Sequence, residues 1–249
     1  IGIDMIHRIE ETTSTNDEAR DARYRHGDVV WAEWQSAGRG QRGHTWLCPE
    51  GLNITFSAIL EPTFLPAPEQ FLFTEVAALA LVDAMRDYGI EARIKWTNDL
   101  VWGKQKFAGI LTEMGLNAAG GVDWAIVGIG VNCCQKAEDF PPEIRDRACS
   151  LAMAAGREID RCRVAAAMME ALWEMDASLF TGKKDMLRFY RENCVTIGKE
   201  ISVVGAGEVR HGRALDVDDE GALVVEFPDS HVEAVNAGEV SIRGMYGYI

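Results

Sequence analysis

Apolar and polar positions recur with two periods along the chain, one typical of helices and the other typical of strands. Apolar side chains at helical spacing predict amphipathic core helices over residues 69–88 and residues 160–180. Ser14 or Thr15, followed by acidic residues, forms a candidate capping box. We therefore predict a shorter helix there that ends at about Arg25.

Strand-like segments fill much of the remaining chain. In the first part they cover residues 29–35, 52–60, 92–96, 106–114 and 124–132. After about residue 193 they become shorter and alternate with turns, at residues 201–204, 209–217, 222–227, 231–236 and 240–243. The pattern predicts an α+β domain with a mixed or antiparallel sheet over residues 1–193, followed by a small β-barrel over residues 194–249.

Composition and charge narrow the class of protein. The chain has 249 residues, 47% of them hydrophobic, and a formal net charge of −14. Such an acidic surface repels a phosphate backbone, so we expect no nucleic-acid partner. No apolar run is long enough to span a membrane and the start lacks signal-peptide features, so we expect a cytoplasmic protein without a membrane partner. The six cysteines lack the paired spacing of a zinc site and are interpreted as reduced thiols.

A glycine-rich loop lies between two predicted strands. Gly38, Gly40 and Gly43 match the GxGxxG pattern of dinucleotide-binding proteins. That pattern requires a helix directly after the third glycine, whereas this loop leads into another strand. Arg39 and Arg42 within the loop are suited to bind carboxylate or phosphate. The loop is therefore either a site for an anionic ligand or a solvated turn.

A second polar cluster lies in a predicted strand-loop-strand unit. It combines Lys95, Asn98, Asp99, Lys104 and Lys106. Three cations, a carboxylate and an amide can neutralise phosphate oxygens and help to position Mg²⁺. A charged hairpin without a ligand remains an alternative for this cluster alone.

A third pattern ends an apolar strand with Gly128, Gly130 and Asn132. The amide of Asn132 can pair with the edge of a heterocycle as donor and acceptor. A close crossing of two chain segments explains the glycines equally well.

Together these segments resemble the biotin protein ligase family over nearly the whole chain. The matching segments are Ser14-Thr15-Asn16, residues 35–46, 49–53, 95–99, 106–111 with Glu113, and 128–132, in the order and spacing of the family. The end of the last strand, residues 238–243, looks like the end of the family's SH3-like domain. The resemblance implies a catalytic domain like that of class II aminoacyl-tRNA synthetases and biotin ligases, with a mixed sheet and flanking helices, plus an SH3-like barrel.

The resemblance also implies a reaction and its residues. ATP would activate biotin as biotinyl-AMP, and the biotin would then pass to a lysine of a biotin carboxyl carrier protein. Biotin would contact Ser14, Thr15, Asn16, Gln35, Gly38, Arg39, Gly40, Lys106, Gly109 and Ile110. ATP would contact Arg42, Trp46, Asn98, Lys106, Asn132 and Arg243. Catalysis would depend on Lys106, Arg39, Arg42 and Asp99; Mg²⁺ would arrive with ATP, with Asp99 as a candidate ligand but no fixed metal site.

Two positions depart from the common family pattern. Gln41 replaces an arginine and cannot supply its charge, although Arg42 can compensate. Thr97 replaces a proline, which leaves the turn before Asn98 less rigid. We expect modest effects on affinity and the same reaction.

Two functions compete with that of a biotin protein ligase. A lipoate or octanoate ligase or transferase shares the catalytic fold but needs an apolar tunnel, so the polar residues Ser14, Thr15 and Gln35 favour biotin. A non-catalytic biotin or nucleotide binding module is the second rival.

Some relatives carry an N-terminal DNA-binding domain, for which the position of Ser14 leaves no room. Many relatives form homodimers, and no segment here decides that question.

Overall fold

A computed structural model describes residues 5–61, 71–178, 182–205, 207–237 and 241–244. Side chains are left out of the description for residues 175–178 and for Ser241. The predicted helical positions 69–70 and 179–180, the side chain of Met175 and the predicted strand position 240 therefore lie outside the described residues.

A seven-stranded mixed sheet forms the larger layer. Its strands are β1 (Met5–Thr12), β2 (Asp28–Gln35), β3 (Asn53–Leu60), β4 (Arg93–Lys95), β5 (Asp99–Trp102), β6 (Gln105–Leu116) and β7 (Val122–Asn132). They lie in the order β1-β2-β3-β7-β6-β5-β4. The pair β1–β2 is parallel and the other neighbours are antiparallel. The prediction of a mixed sheet is confirmed.

Helices cover this sheet and complete the core. They are α1 (Thr15–Glu18), α2 (Phe71–Arg86), α3 (Leu151–Ala155), α4 (Arg161–Ser178) and α5 (Lys183–Asn193). Helix α2 packs on β4 to β7 and against α4, whereas β3 lies between β2 and β7 and contacts α1 and α4, and it is buried at every position. The predicted stripe on α4 is buried at Val164, Met168, Ala171 and Leu172.

A separate five-stranded antiparallel sheet follows in the C-terminal part of the chain. Its strands are β8 (Glu200–Gly205), β9 (Glu208–Val217), β10 (Leu223–Glu226), β11 (Val232–Val235) and β12 (Ser241–Gly244), in the order β11-β10-β9-β8-β12. All five strands were predicted from the sequence. The boundary between the two domains at residues 193 and 194 stays a prediction.

The structure differs from the sequence prediction mainly near the N-terminus. Helix α1 ends at Glu18 instead of reaching Arg25, and the side chain of Ser14 makes no capping hydrogen bond. The backbone N–H of Thr15 instead donates to Oε1 of Gln35, 2.7 Å away. A contact with a distant strand thus replaces the predicted local cap. Strands β1 and β5 were not predicted, whereas α3 and α5 lie in the stretch after Pro141-Pro142 for which the sequence predicts helix without separate bounds.

The turn between β9 and β10 joins the small sheet to the larger domain. The indole Nε1 of Trp96 donates to the carbonyl oxygen of Gly221 at 3.0 Å. Arg191 Nε donates to the carbonyl oxygen of Val217 at 2.6 Å. Gly221 has a φ of +80°, and the ring of Phe71 fills the space where its Cβ would lie. The turn is therefore fitted to one place on the larger domain, directly beside Trp96.

Glu75 in α2 is a buried carboxyl group near this junction. It is fully buried, and within the described chain neither carboxyl oxygen has a hydrogen-bond partner. Burial raises the pKa of Glu75 from its ordinary 4.5 to about 8; Asp218 raises it further, whereas Arg191 and Lys183 oppose the shift. The folded protein therefore keeps this proton at neutral pH, whereas the unfolded chain releases it near pH 4.5.

This difference predicts a pH dependence of stability. The contribution of Glu75 to folding is complete below pH 4.5 and is lost as the pH rises towards 8, by ~1.4 kcal/mol per pH unit. A Glu75→Gln variant has no such proton. We therefore expect the free energy of unfolding of the variant, relative to that of the wild type, to increase between pH 5 and pH 8. Urea unfolding at several pH values measures the difference, and parallel pH profiles would contradict the prediction.

Candidate active site

A single cleft of about 1030 Å³ gathers most of the predicted site residues. It lies over strands β6 and β7, under the glycine-rich loop, and β12 of the small sheet closes one side. Its lining includes Thr15, Asn16, Gln35, Arg39, Gly40, Arg42, Trp46, Asn98, Asp99, Lys106, Gly109, Ile110, Asn132 and Arg243. Ser14 is buried outside the lining and Gly38 also lies outside it. The structure thus brings together all predicted site residues except these two.

The floor of the cleft is one face of strand β7. Gly128, Gly130 and Asn132 share this face because alternate residues of a strand point to the same side. The indole of Trp46 lies on Gly130, where a Cβ atom would come within 2.6 Å of the ring. The side chain of Asn16 occupies the corresponding space at Gly128. The glycines are therefore required because two side chains pack on the bare strand.

Neutral polar groups form one end of the cleft. Besides the bond from Thr15 to Gln35, the hydroxyl of Ser57 lies 2.7 Å from Thr15 Oγ1 and 2.6 Å from Asn16 Oδ1. Asn16 Nδ2 donates to Glu113 Oε2 at 2.9 Å and to the carbonyl oxygen of Leu111 at 3.1 Å. Asn16 is therefore fixed by the protein itself. Its predicted contact with biotin stays a prediction.

The two arginines of the glycine-rich loop have different partners. Arg39 forms ion pairs with Asp17 at 2.8 Å and Glu113 at 3.4 Å, beside the neutral polar end. Arg42 donates to the carbonyl oxygen of Val204 in β8 at 3.2 Å. Arg42 therefore links the loop to the small sheet as well as lining the cleft. After Gly43 the chain continues to β3 without an α-helix, which confirms that the loop is not a dinucleotide-binding fingerprint.

Cations occupy the middle of the cleft. Lys106 Nζ lies 2.6 Å from Asp99 Oδ1 and 5.6 Å from the centroid of the Trp46 ring. The adjacent Gly109 leaves room for this ammonium group, since a Cβ there would lie 3.3 Å from it. Lys106 is thus held by a carboxylate beside the floor of the cleft.

Lys95 is a further cation, which the sequence placed in the second polar cluster but not among the predicted contacts of biotin or ATP. It is buried in the wall of the cleft. Burial lowers the pKa of Lys95 to about 8, and the charges of Arg243, Lys106 and Arg147 lower it further, whereas Asp99 opposes the shift. The crowding of cations reflects a local excess of positive charge inside an acidic protein. Such a cavity favours an anionic ligand.

Side-chain amides form the other end of the cleft. Asn132 lies there with Asn53 and Gln135, close to the end of β7. Asn98 has a different position. Its side-chain Nδ2 donates to the carbonyl oxygen of Ile110 at 2.8 Å, and its backbone carbonyl oxygen accepts from the N–H of Ile110. Asn98 therefore supports the strand that the sequence predicted to pass along biotin. Its predicted contact with ATP stays a prediction.

The described residues offer neither a cluster of metal ligands nor a membrane-spanning helix. They contain no group of three His, Cys, Asp or Glu side chains that could hold a metal ion. No helix among them is long and apolar enough to span a membrane.

The fold and the cleft together define a class of protein. A mixed sheet carries a cavity with a neutral polar end, a cationic middle and an amide end, and a small antiparallel sheet adjoins it. This arrangement is that of a ligase that activates a carboxylic acid with a nucleotide. Sequence comparison agrees: the Biotin/lipoate A/B protein ligase family matches residues 5–132, and the Biotin protein ligase C terminal domain matches residues 196–243. The chain belongs to the biotin/lipoate A/B protein ligase family.

Individual relatives resemble the chain over most of its length. The bifunctional ligase/repressor BirA of Bacillus spizizenii is 34% identical over 220 residues, which cover 88% of this chain and 67% of the relative. The biotin–[acetyl-CoA-carboxylase] ligase of Paracoccus denitrificans is 32% identical, covering 95% and 100%. The structure of a biotin protein ligase from Aquifex aeolicus in complex with biotin and ATP has a TM-score of 0.81 at 26% identity and covers 97% of this chain and 99% of that one. The predicted fold class is confirmed.

Proposed function

We infer that this protein is a biotin protein ligase, which uses ATP to form biotinyl-AMP and transfers biotin to a lysine of a biotin carboxyl carrier protein. The observation that carries the inference is the single cleft in which a neutral polar end, Lys106 and Asn132 follow one another along β6 and β7. A urea group needs donors and acceptors without charge, whereas a carboxylate and a phosphate need cations. The urea and the carboxylate of biotin, followed by the phosphates and the adenine of ATP, would occupy the cleft in this order.

The first step joins two anions. An oxygen of the biotin carboxylate attacks the α-phosphorus of ATP, and the bond to the β-phosphate oxygen breaks to release pyrophosphate. Lys106 and Arg39, which both line the cleft, are proposed to offset the repulsion between the reactants and to stabilise the added charge. Arg42 adds a third cation from the same loop.

The second step transfers the acyl group. The amine of the carrier lysine attacks the acyl carbon of biotinyl-AMP, an amide bond forms, and AMP leaves with the bonding electrons. Lys106 stabilises the developing oxyanion, and Asp99, 2.6 Å from Lys106, orients or deprotonates the incoming amine. Trp46, whose indole lies on Gly130 in this structure, is proposed to pack against the bound nucleotide and to help exclude water from the reactive anhydride.

Mg²⁺ is proposed to enter with ATP. Asp99 offers one carboxylate in the cleft, which suits an ion that binds one or two carboxylates together with substrate phosphates. Bound there, the ion would neutralise phosphate oxygens. Because Lys106 pairs with the same carboxylate, Asp99 alone does not make a fixed metal site.

One experiment separates this function from its rivals. Labelled biotin and labelled lipoate are offered separately with ATP, Mg²⁺ and an apo carrier domain, and pyrophosphate and labelled carrier are measured. We expect pyrophosphate release and labelling with biotin. Labelling by lipoate alone would identify a lipoate ligase, and binding of biotin without pyrophosphate would identify a binding module.

We further propose that the protein has no nucleic-acid partner and forms a homodimer. The net charge of −14 supports the absence of a nucleic-acid partner. A homodimer could form through the exposed edge strand β1, whose outer edge has no neighbouring strand in the described chain. Sedimentation velocity with and without biotin and ATP would measure the oligomeric state.

A further inference from the structure

Gln135 stands out at the amide end of the cleft as a buried side chain with one unused polar atom. It lines the cleft and is only 2% exposed. Its Nε2 donates to Oδ1 of Asn53 and, at 3.3 Å, to Oδ1 of Asn132. Its Oε1 is buried and has no hydrogen-bond partner among the residues that the structure describes. A buried acceptor without a donor is costly, and a bound ligand can supply the donor.

We propose that Gln135 determines the nucleotide specificity of the ligase, with its Oε1 accepting a hydrogen bond from the amino group of adenine. The proposal rests on the proposed use of ATP, and it assigns a role to one residue of this chain.

The orientation of the Gln135 amide is fixed by backbone groups. Asn53 Nδ2 donates to the carbonyl oxygen of Leu47 at 3.0 Å, and Asn132 Nδ2 donates to that of Cys149 at 3.2 Å. Backbone carbonyls only accept hydrogen bonds, so both asparagines must turn their oxygens towards Gln135. Gln135 must then present its nitrogen to them. Its oxygen is the end that remains for a ligand.

This fixed orientation is what gives the residue discriminating power. A freely rotating glutamine can present either its oxygen or its nitrogen, so it pairs equally well with adenine or guanine. An amide held by Asn53 and Asn132 presents only an acceptor. It favours the amino group of adenine and opposes the O6 acceptor of guanine.

Position along the cleft excludes the biotin ring as the donor. Asn53 and Ser57 belong to the same strand, four residues apart, so the amide end lies ~13 Å from the neutral polar end. The ureido ring of biotin is expected at Thr15 and Gln35, and Ser57 donates to Thr15 from behind. The flat and apolar side chains of Trp46 and Phe140 line the cleft together with Gln135 and suit a nucleobase.

The test compares ATP with purine riboside triphosphate, which lacks only the amino group. Biotinyl-AMP formation is followed by pyrophosphate release, and kcat/KM is measured for both nucleotides. The wild type should use the analogue about tenfold less efficiently or worse. In Gln135→Met, kcat/KM for ATP should fall by about the same factor, and that for the analogue should stay near the wild-type value.

A purely structural role gives a different result. Loss of the bonds to Asn53 and Asn132 would lower kcat/KM for both nucleotides equally and leave their ratio unchanged, which would overturn the proposal. Gln105→Met is the matched control, because the side-chain amide of Gln105 donates to the carbonyl oxygen of Asp146 at 3.4 Å and Gln105 lies outside the cleft lining. Its ratio should equal that of the wild type.

Two further outcomes keep the tests separate. If Gln135→Met does not fold, equal use of the two nucleotides by the wild type would still overturn the proposal. If the wild type releases no pyrophosphate from ATP and biotin, the proposed function itself fails. Normal turnover of ATP with an unchanged ratio in Gln135→Met refutes only the role of Gln135.

Discussion

Replacing Lys106 with alanine should slow biotinyl-AMP formation by about a hundredfold to a thousandfold. Lys106 is the cation that Asp99 holds at 2.6 Å in the middle of the cleft. Its removal leaves two anionic reactants with less compensation in the transition state. Biotin affinity should change little, because the neutral polar end at Thr15 and Ser57 remains intact. Single-turnover pyrophosphate release measures the rate, and isothermal titration measures biotin binding.

The controls for this prediction use other lysines. Lys199→Ala removes an exposed lysine of the small domain and should leave the rate unchanged. Lys106→Arg keeps the positive charge with a different shape and should fall between the wild type and the alanine variant. A Lys106→Ala enzyme with the wild-type rate would remove Lys106 from the mechanism.

Adding one methyl group at Gly128 should weaken biotin binding by about tenfold or more. The new Cβ would overlap the amide of Asn16, which must then leave its bonds to Ser57 and Glu113. Moving the amide would displace the contact proposed between Asn16 and biotin, and the loss of one hydrogen bond to a ligand, at ~1.4 kcal/mol, corresponds to about a tenfold change in affinity. Titration of the Gly128→Ala variant with biotin checks this value.

Gly115→Ala is the matched control for Gly128→Ala. A Cβ at Gly115 would also overlap a neighbouring side chain, that of Trp124, but this contact lies outside the cleft lining. We expect Gly115→Ala to lower the melting temperature without a change in biotin affinity. Equal loss of affinity in both variants would mean that the effect at Gly128 comes from general destabilisation of the sheet.

The sequence predicted the core elements because their side chains repeat with the period of the element. Helices α2 and α4 and the buried strands β3 and β7 are of this kind. Strand β1 was missed because it is an exposed edge strand, held to β2 by backbone hydrogen bonds that its side chains do not encode. The predicted length of α1 was wrong because the chain after Glu18 continues in turns, with i→i+3 hydrogen bonds from Arg20 to Asp17 and from Asp21 to Glu18.

The candidate site was predictable as a set of motifs but not as a network. The glycines of β7 had two interpretations, and only the packing of Asn16 and Trp46 on the strand explains them. The sequence gives no signal for the buried state of Lys95. Gln135 lies three residues after Asn132, yet its role depends on carbonyl groups of loops that meet it only in the folded protein.

The β9–β10 turn packs beside Trp96, so the small sheet supports the structure of the cleft. Trp96 lies next to Lys95, so the hydrogen bond from its indole to Gly221 ties the second domain directly to a wall of the reaction chamber. Removing the chain after residue 193 would remove the hydrogen bond that supports this wall and would delete Arg243. The isolated first domain should therefore be a poor starting point for a minimal biotin-labelling enzyme.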